Sequence, residues 1–247
     1  YGDHRDLHRL IRRQRQMCIR DRIKYAAIRF SQYFEQEDRI AVIAFSDRLQ
    51  VLQDWTNNHK KLRKSLKRLK RGYRTAMYDA LLATSREKLN KIPGKKVIIL
   101  LTDGLDNESK SDYREVLDSL IESNTALYIV SRTRLVKSKI ASSTRVEFLD
   151  RVMKNVLHDD ASFVDLYFRM KEATMNHLAK TSGGRVLYPQ ELRALGSTYM
   201  QIARELKTQY VLTFLPAAVG KREFRHIQVR CSREIGQIYH REIYRTP

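Results

Sequence analysis

Two polar residues border apolar stretches of the sequence. Asp103 follows the run VIILLT at 97–102, and Thr75 precedes the helical pattern AMYDALLA. In open α/β sheets, ligands bind beyond the carboxyl ends of the strands, so a carboxylate and a hydroxyl there could share one ligand. These oxygens are hard donors that suit Mg²⁺, Mn²⁺ or Ca²⁺. Without further context, the same two residues fit a turn aspartate and a helix-capping threonine.

Strands and helices are predicted to alternate after residue 22. Apolar or alternating runs predict strands at 39–45, 49–55, 95–104 and 125–131. Helical spacing predicts helices at 23–34, 59–70, 75–90, 112–123 and 191–209. This order predicts an α/β fold with a mostly parallel sheet covered by helices on both faces. The alternating stretches YVLTFLP, FRHIQVRC and GQIYHREIY near the end predict antiparallel strands added at an edge.

The first 22 residues are interpreted as translated sequencing-adapter DNA. The adapter codons TAC GGC GAC CAC CGA GAT CTA CAC encode YGDHRDLH at 1–8, and a transposase-recognition sequence in the same frame encodes RRQRQMCIRDR at 12–22. We therefore leave 1–22 out of the fold prediction, as we would a tag. Sequencing the source DNA upstream of the Ile23 codon, from a library made without these adapters, tests this interpretation.

The chain is strongly basic, with 48 Lys and Arg against 28 Asp and Glu and a net charge of +20. Residues 1–22 hold seven of the basic and three of the acidic residues, so the remainder still carries +16. Nine Lys or Arg fall within HKKLRKSLKRLKRGYR at 59–74, around one stripe of leucines. This pattern is typical of a solvated helix face. The alternative is a basic, metal-independent module that binds nucleic acid or an anionic surface through 59–74.

The sequence contains none of the common catalytic signatures. It has no GxGxxG after a strand, no P-loop, no GxSxG and no HExxH, so we expect neither an enzyme nor a small-molecule substrate. Outside 1–22 the one remaining cysteine is Cys231, which excludes a disulfide framework and a cysteine metal site in that part. The sequence gives no indication of oligomeric state.

Six motifs together resemble the bacterial von Willebrand factor A-related domain family. They occur in the family's order and cover nearly all of 23–247: DRIAVIAFSDRLQVLQDWT, RTAMYDAL, KKVIILLTDGLDNES, HLAKTSGGRVLY, QYVLTFLP and FRHIQVR. The resemblance implies a Rossmann-like A domain at 23–208 with a helical insertion at 134–174. A C-terminal β extension at 209–247 would follow it.

The resemblance also implies a metal-ion-dependent adhesion site built from three loops. The family's threonine carries over to Thr75 and its aspartate to Asp103, whereas Tyr73 and Arg74 replace two usual glycines. The Asp-x-Ser-x-Ser motif that should precede residue 23 is absent, so we expect the first strand to have been lost by truncation and the chain to be less stable than its parent. Asp79 could hold a metal loop or serve as a simple first-turn helix acid.

By this resemblance the intact parent binds Mg²⁺, or Mn²⁺ or Ca²⁺, and the chain as written binds it weakly. The open coordination position would take a carboxylate from a protein ligand, so the expected activity is adhesion without catalysis. A bacterial cell-envelope or secreted location is the family's expectation. Metal-bridged binding should be abolished by EDTA, whereas phosphate binding should fall steeply with salt.

Overall fold

The computed structural model describes residues 21–69, 75–140, 163–214, 223–232 and 238–246. The helices are α1 (21–31), α2 (His59–Lys67), α3 (Met77–Ala83, continued by a π-helical turn at Thr84–Leu89), α4 (Tyr113–Glu122), α5 (Thr133–Ile140), α6 (Phe163–Ser182) and α7 (Leu195–Lys207). The strands are β1 (Ile40–Phe45), β2 (Leu49–Thr56), β3 (Lys96–Thr102), β4 (Thr125–Ser131), β5 (Val186–Leu187), β6 (Phe224–His226) and β7 (Ile243–Arg245). No helix in these ranges is both long and apolar enough to span a bilayer.

The predicted parallel sheet is confirmed. Strands β3, β4 and β5 pair in that order, and both pairings are parallel. Lys96 lies opposite Thr125 and Thr102 opposite Ser131, so β3 and β4 end at the same level. Strands β6 and β7 form the predicted antiparallel pair. Within the described part of the chain, β1 pairs with β2 in a separate sheet, and β3 has a strand partner on one side only.

Two details of the sequence prediction are wrong. Residues 210–214, YVLTF, form no strand, and Tyr210 is 93% exposed, because no neighbouring strand pairs with them among the described residues. Strand β1 is only half-buried along its length, whereas its near-continuous apolar run predicts a fully buried strand. Tyr73, Arg74 and much of the 134–174 insertion lie outside the described residues.

The chain divides into two compact units. The first comprises 1–44, 49–71 and 189–210, and the second comprises 45–48, 72–188 and 211–247. In the first unit, the ring of Phe30 on α1 lies 5.3 Å from that of Tyr199 on α7, and Leu62 of α2 is almost fully buried. The sequence-based boundaries at 22 and 208 remain predictions.

The core of the second unit surrounds the central strand β4. Helices α3, α4 and α6 supply its other side chains, and the buried cluster consists of Met77, Leu81, Leu100, Val116, Leu120, Leu127, Ile129, Met175, Leu178 and Ala179. Each large apolar side chain that is fully buried contributes about 1.5–3 kcal/mol to folding. This core fixes the carboxyl end of β3, where the candidate site lies.

Candidate functional site

The turn after β3 is held tightly against the protein interior. Gly104 has a φ of +75°, a conformation that side chains of L-residues disfavour. A Cβ added there would lie 2.9 Å from Met175 Cε and 3.1 Å from Thr133 Cγ2. The amide of Arg132, just past β4, donates to the carbonyl of Thr102 at 2.7 Å. These contacts therefore fix the backbone position of Asp103 at the end of β3.

Thr75 is tied to the loop that follows Asp103. Its amide donates to Asn107 Oδ1 at 2.9 Å, and its carbonyl accepts from the amides of Asn107 at 3.1 Å and Glu108 at 3.3 Å. None of these three bonds uses the Thr75 hydroxyl, which stays available to a ligand. The two loops that carry the predicted site residues are thus joined by hydrogen bonds.

Asp106 connects the same loop to the start of α3. Its Oδ2 accepts from the Tyr78 amide at 2.9 Å and from Ser109 Oγ at 2.7 Å, and its Oδ1 accepts from the Ser109 amide at 3.1 Å. The Tyr78 amide is one of the donors that a helix leaves unpaired in its first turn. Asp106 therefore stabilises both the helix start and the loop conformation.

Asp79 makes a second connection in the opposite direction. Its Oδ1 accepts from the amides of Ser111 at 2.8 Å and Lys110 at 3.1 Å. Its own amide donates to Ser109 Oγ at 3.2 Å. Burial acts to raise the pKa of Asp79, but hydrogen bonds from the Ser111 side chain and from these two amides, with the charge of Lys110, hold that pKa below its usual value. Asp79 thus holds the loop while also being a first-turn helix acid.

The lowered pKa of Asp79 predicts a loss of stability in acid. A carboxylate with a depressed pKa stabilises the fold fully above its unfolded pKa of about 4, and this contribution disappears as pH falls through the folded pKa. We expect the free energy of unfolding of the wild type to decrease over that range more than that of Asp79→Asn. Urea denaturation at a series of pH values measures the difference, and parallel curves for the two proteins would contradict it.

Asp103 is already neutralised by an arginine. Its Oδ2 accepts from Arg132 Nη2 at 3.2 Å, and the two side chains are 24% and 27% exposed. Its Oδ1 accepts from the Leu105 amide at 3.4 Å. Asp103 therefore also acts as a turn aspartate, the structural role that its sequence position allows. Arg132 Nε is buried and has no hydrogen-bond partner among the described residues. A cation at Asp103 would therefore compete with the guanidinium.

The described residues do not by themselves form a complete metal site. Thr75 and Asp103 offer hard oxygens of the kind that Mg²⁺ prefers, yet Mg²⁺ needs near-octahedral coordination. No group of three or more His, Cys, Asp or Glu that could hold a metal occurs in the described ranges. The carboxylates of Asp79 and Asp106 are occupied by loop hydrogen bonds.

Several site residues escaped the sequence analysis. Arg132, Asp106, Asn107 and Ser109 were not singled out, although Asp-x-x-Ser is a common turn and capping pattern. The capping interpretation of Thr75 is wrong, because α3 has Ala76 at its N-cap position and no side-chain cap. No sequence motif or regular spacing predicts the contact between Asp103 and Arg132.

Comparison with known proteins identifies the fold family. Residues 13–105 match the family model described as von Willebrand factor type A domain. A solved structure described as "von Willebrand factor type A from Catenulispora acidiphila" superposes with a TM-score of 0.53 at 15% identity, over 75% of this chain and 38% of that one. The chain therefore has the fold of a von Willebrand factor type A domain. The match to the A domain starts inside the segment interpreted as adapter-derived.

Other solved structures resemble this chain more weakly. An aerotolerance-related membrane protein from Bacteroides fragilis NCTC 9343 gives a TM-score of 0.47 at 13% identity, over 75% of this chain and 88% of that one. The conserved hypothetical protein BatB from Bacteroides thetaiotaomicron gives 0.47 at 12% identity, over 76% and 89%. No curated protein matches the chain. This chain spans well under half of the Catenulispora chain, so the comparison concerns the fold alone.

Proposed function

We propose that this A domain is a protein-binding module and not an enzyme, and that it contacts its partner at the loop edge after β3. By loop edge we mean Thr75 together with residues 103–111. The observation that carries the proposal is the network that joins these loops through Asn107, Asp106 and Asp79. A surface ordered before binding loses little conformational entropy when a partner arrives, which favours affinity.

For the intact parent protein, we extend the proposal to a divalent cation, Mg²⁺ or alternatively Mn²⁺ or Ca²⁺. Thr75 Oγ1 and the Asp103 carboxylate would hold it, together with ligands that the resemblance assigns to a motif preceding residue 23. A bound cation would supply an open coordination position for a carboxylate of the partner protein. In the chain as written the cation would bind weakly. We place the parent at the bacterial cell envelope or outside the cell, as the resemblance implies.

Asp103→Asn is expected to abolish what cation binding the chain retains. The wild type should bind Mn²⁺ with a dissociation constant of about 1 mM or weaker, because most ligand positions are left to water. Titration of Mn²⁺ followed by electron paramagnetic resonance measures the bound fraction. Asp118→Asn removes an exposed carboxylate on α4 and should leave the binding unchanged. Equal binding by the wild type and both variants would place the cation elsewhere.

Arg132→Gln is expected to strengthen Mn²⁺ binding by up to about fivefold, because a partly exposed ion pair contributes at most about 1 kcal/mol. The substitution removes the guanidinium that competes for Asp103 and keeps a polar side chain. Arg114→Gln, on the exposed face of α4, is the control for the change in net charge. If both variants bind Mn²⁺ like the wild type, Arg132 does not compete at this site.

The partner's chemistry is tested with paired peptide arrays. One array presents peptides with a single Glu, and the other has Gln at the same position. The proposal expects Glu-dependent binding that requires Mg²⁺, is removed by EDTA and is lost in Asp103→Asn. Binding that ignores both EDTA and the Glu-to-Gln change would overturn it.

A further inference from the structure

Helix α2 carries six exposed basic residues and no acidic one. They are Lys60, Lys61, Arg63, Lys64, Lys67 and Arg68, the last being the C-cap. None of them is in a salt bridge with another described residue. A solvated helix face in a folded protein commonly mixes both signs of charge. This face is cationic throughout, so it attracts polyanions without first having to break internal ion pairs.

The helix is fixed in place by its opposite side. Leu62 is 1% exposed and Leu66 is 8% exposed, so the apolar stripe is used in the protein's own core. Asn58 accepts hydrogen bonds from the amides of Lys60 at 2.9 Å and Lys61 at 3.1 Å, which caps the first turn. The apolar stripe therefore cannot insert into a bilayer, and the basic face is held outward.

The basic residues surround a large part of the helix. At 100° per residue they spread over about 160° of its circumference, from Arg63 on one flank to Lys61 and Arg68 on the other. A flat anionic surface meets only the middle of such an arc, whereas a groove has phosphates along both walls. The major groove of duplex DNA is about 12 Å wide and admits an α-helix. The face has no exposed aromatic residue on which an unpaired base could stack.

We propose that the exposed face of α2 binds the phosphate backbone of double-stranded nucleic acid without reading its sequence. Lysine is a point-charge donor to phosphate, and four of the six cations are lysines. Each neutralised phosphate contributes about −0.9 to the slope of log affinity against log salt. Five or six contacts give a slope of about −5, so affinity falls about a thousand-fold between about 50 and 200 mM salt.

The test uses the full chain and a fluorescein-labelled duplex of random sequence in an anisotropy titration with EDTA present. The triple variant Lys60→Glu, Lys64→Glu, Lys67→Glu should bind at least about 100-fold more weakly and have a shallower salt slope. The matched control Arg86→Glu, Lys91→Glu, Arg114→Glu makes the same change in net charge at exposed sites on other elements, and should lose less than about fivefold.

A second variant keeps the test decisive if charge reversal unfolds α2. Replacing the same three lysines with glutamine removes the charges and retains good helix formers, and circular dichroism checks the fold. This variant should still lose about tenfold or more in affinity. Asp103→Asn should bind the duplex like the wild type, so a failure of the loop-edge proposal and a failure of this one are distinguishable.

Two results would overturn the proposal. Equal losses in the α2 variant and in the control variant would mean that net charge alone attracts the duplex. Absence of duplex binding, with α2-dependent binding to phosphatidylserine-containing vesicles and none to phosphatidylcholine vesicles, would assign the face to a membrane surface.

Discussion

Asp79→Ala is expected to lower the free energy of unfolding by about 2 kcal/mol, because hydrogen bonds to a charged acceptor are stronger than those between neutral groups. The substitution leaves the amides of Lys110 and Ser111 without their acceptor and removes one of the connections between α3 and the loop edge. We also expect the loop edge to lose its order, so that Mn²⁺ binding at Asp103 weakens although Asp103 is unchanged. Urea denaturation and Mn²⁺ titration measure the two effects.

Asp118→Ala is the control for Asp79→Ala. It removes an exposed carboxylate from α4 and should change stability by no more than about 0.5 kcal/mol. Asp79→Asn keeps the side-chain shape and one acceptor oxygen, so its stability should lie between those of the wild type and the alanine variant. If Asp79→Ala is as stable as Asp118→Ala, the loop is held by Asp106 and Asn107 alone.

Gly184→Ala is expected to have the largest effect on stability, at least about 3 kcal/mol, because overpacking against rigid atoms costs more than against mobile side chains. A Cβ on Gly184 would lie 2.1 Å from the carbonyl oxygen of Leu127 and 2.5 Å from its carbonyl carbon. Both are backbone atoms of β4, which is held by β3 on one side and β5 on the other. Neither can move without disturbing the sheet.

Gly196→Ala provides the matched control for Gly184→Ala. Gly196 lies in α7, and no atom comes within 4 Å of a Cβ added there. Gly196 is in the first turn, where alanine gains at most the roughly 0.5–1 kcal/mol that it has over glycine in a helix interior, so this variant should be at least as stable to urea as the wild type. Wild-type stability in Gly184→Ala would show that β4 and β5 can separate at little cost.

Local patterns were sufficient to predict the elements that position the site. The runs at 95–104 and 125–131 predict β3 and β4, and the helical spacing at 75–90 predicts the helix that α3 and its π-helical turn form. The Thr75 and Asp103 loops were predicted to lie together because ligands bind at the carboxyl edge of an open α/β sheet. These predictions depend on residues close together in sequence or on a general rule of topology.

The partners within the site were not predictable in the same way. Arg132 is 29 positions from Asp103, and Lys110 is 31 positions from Asp79, so each contact depends on tertiary placement. The strand prediction at YVLTF was wrong for a related reason. An alternating apolar pattern shows that a segment is suited to a strand, but a strand also needs a neighbour, and the pattern carries no information about that neighbour.

Among the described residues β3 pairs with a strand on one side only, and such an edge has a consequence for colloidal behaviour. An edge strand presents unpaired N–H and C=O groups to any second molecule, and KVIILLT combines high β propensity with little charge and no proline. The lysines at 95 and 96 stand at its start, where repulsion between identical cations opposes self-association. Salt screens that repulsion, so concentrated solutions of this chain should aggregate sooner as ionic strength rises.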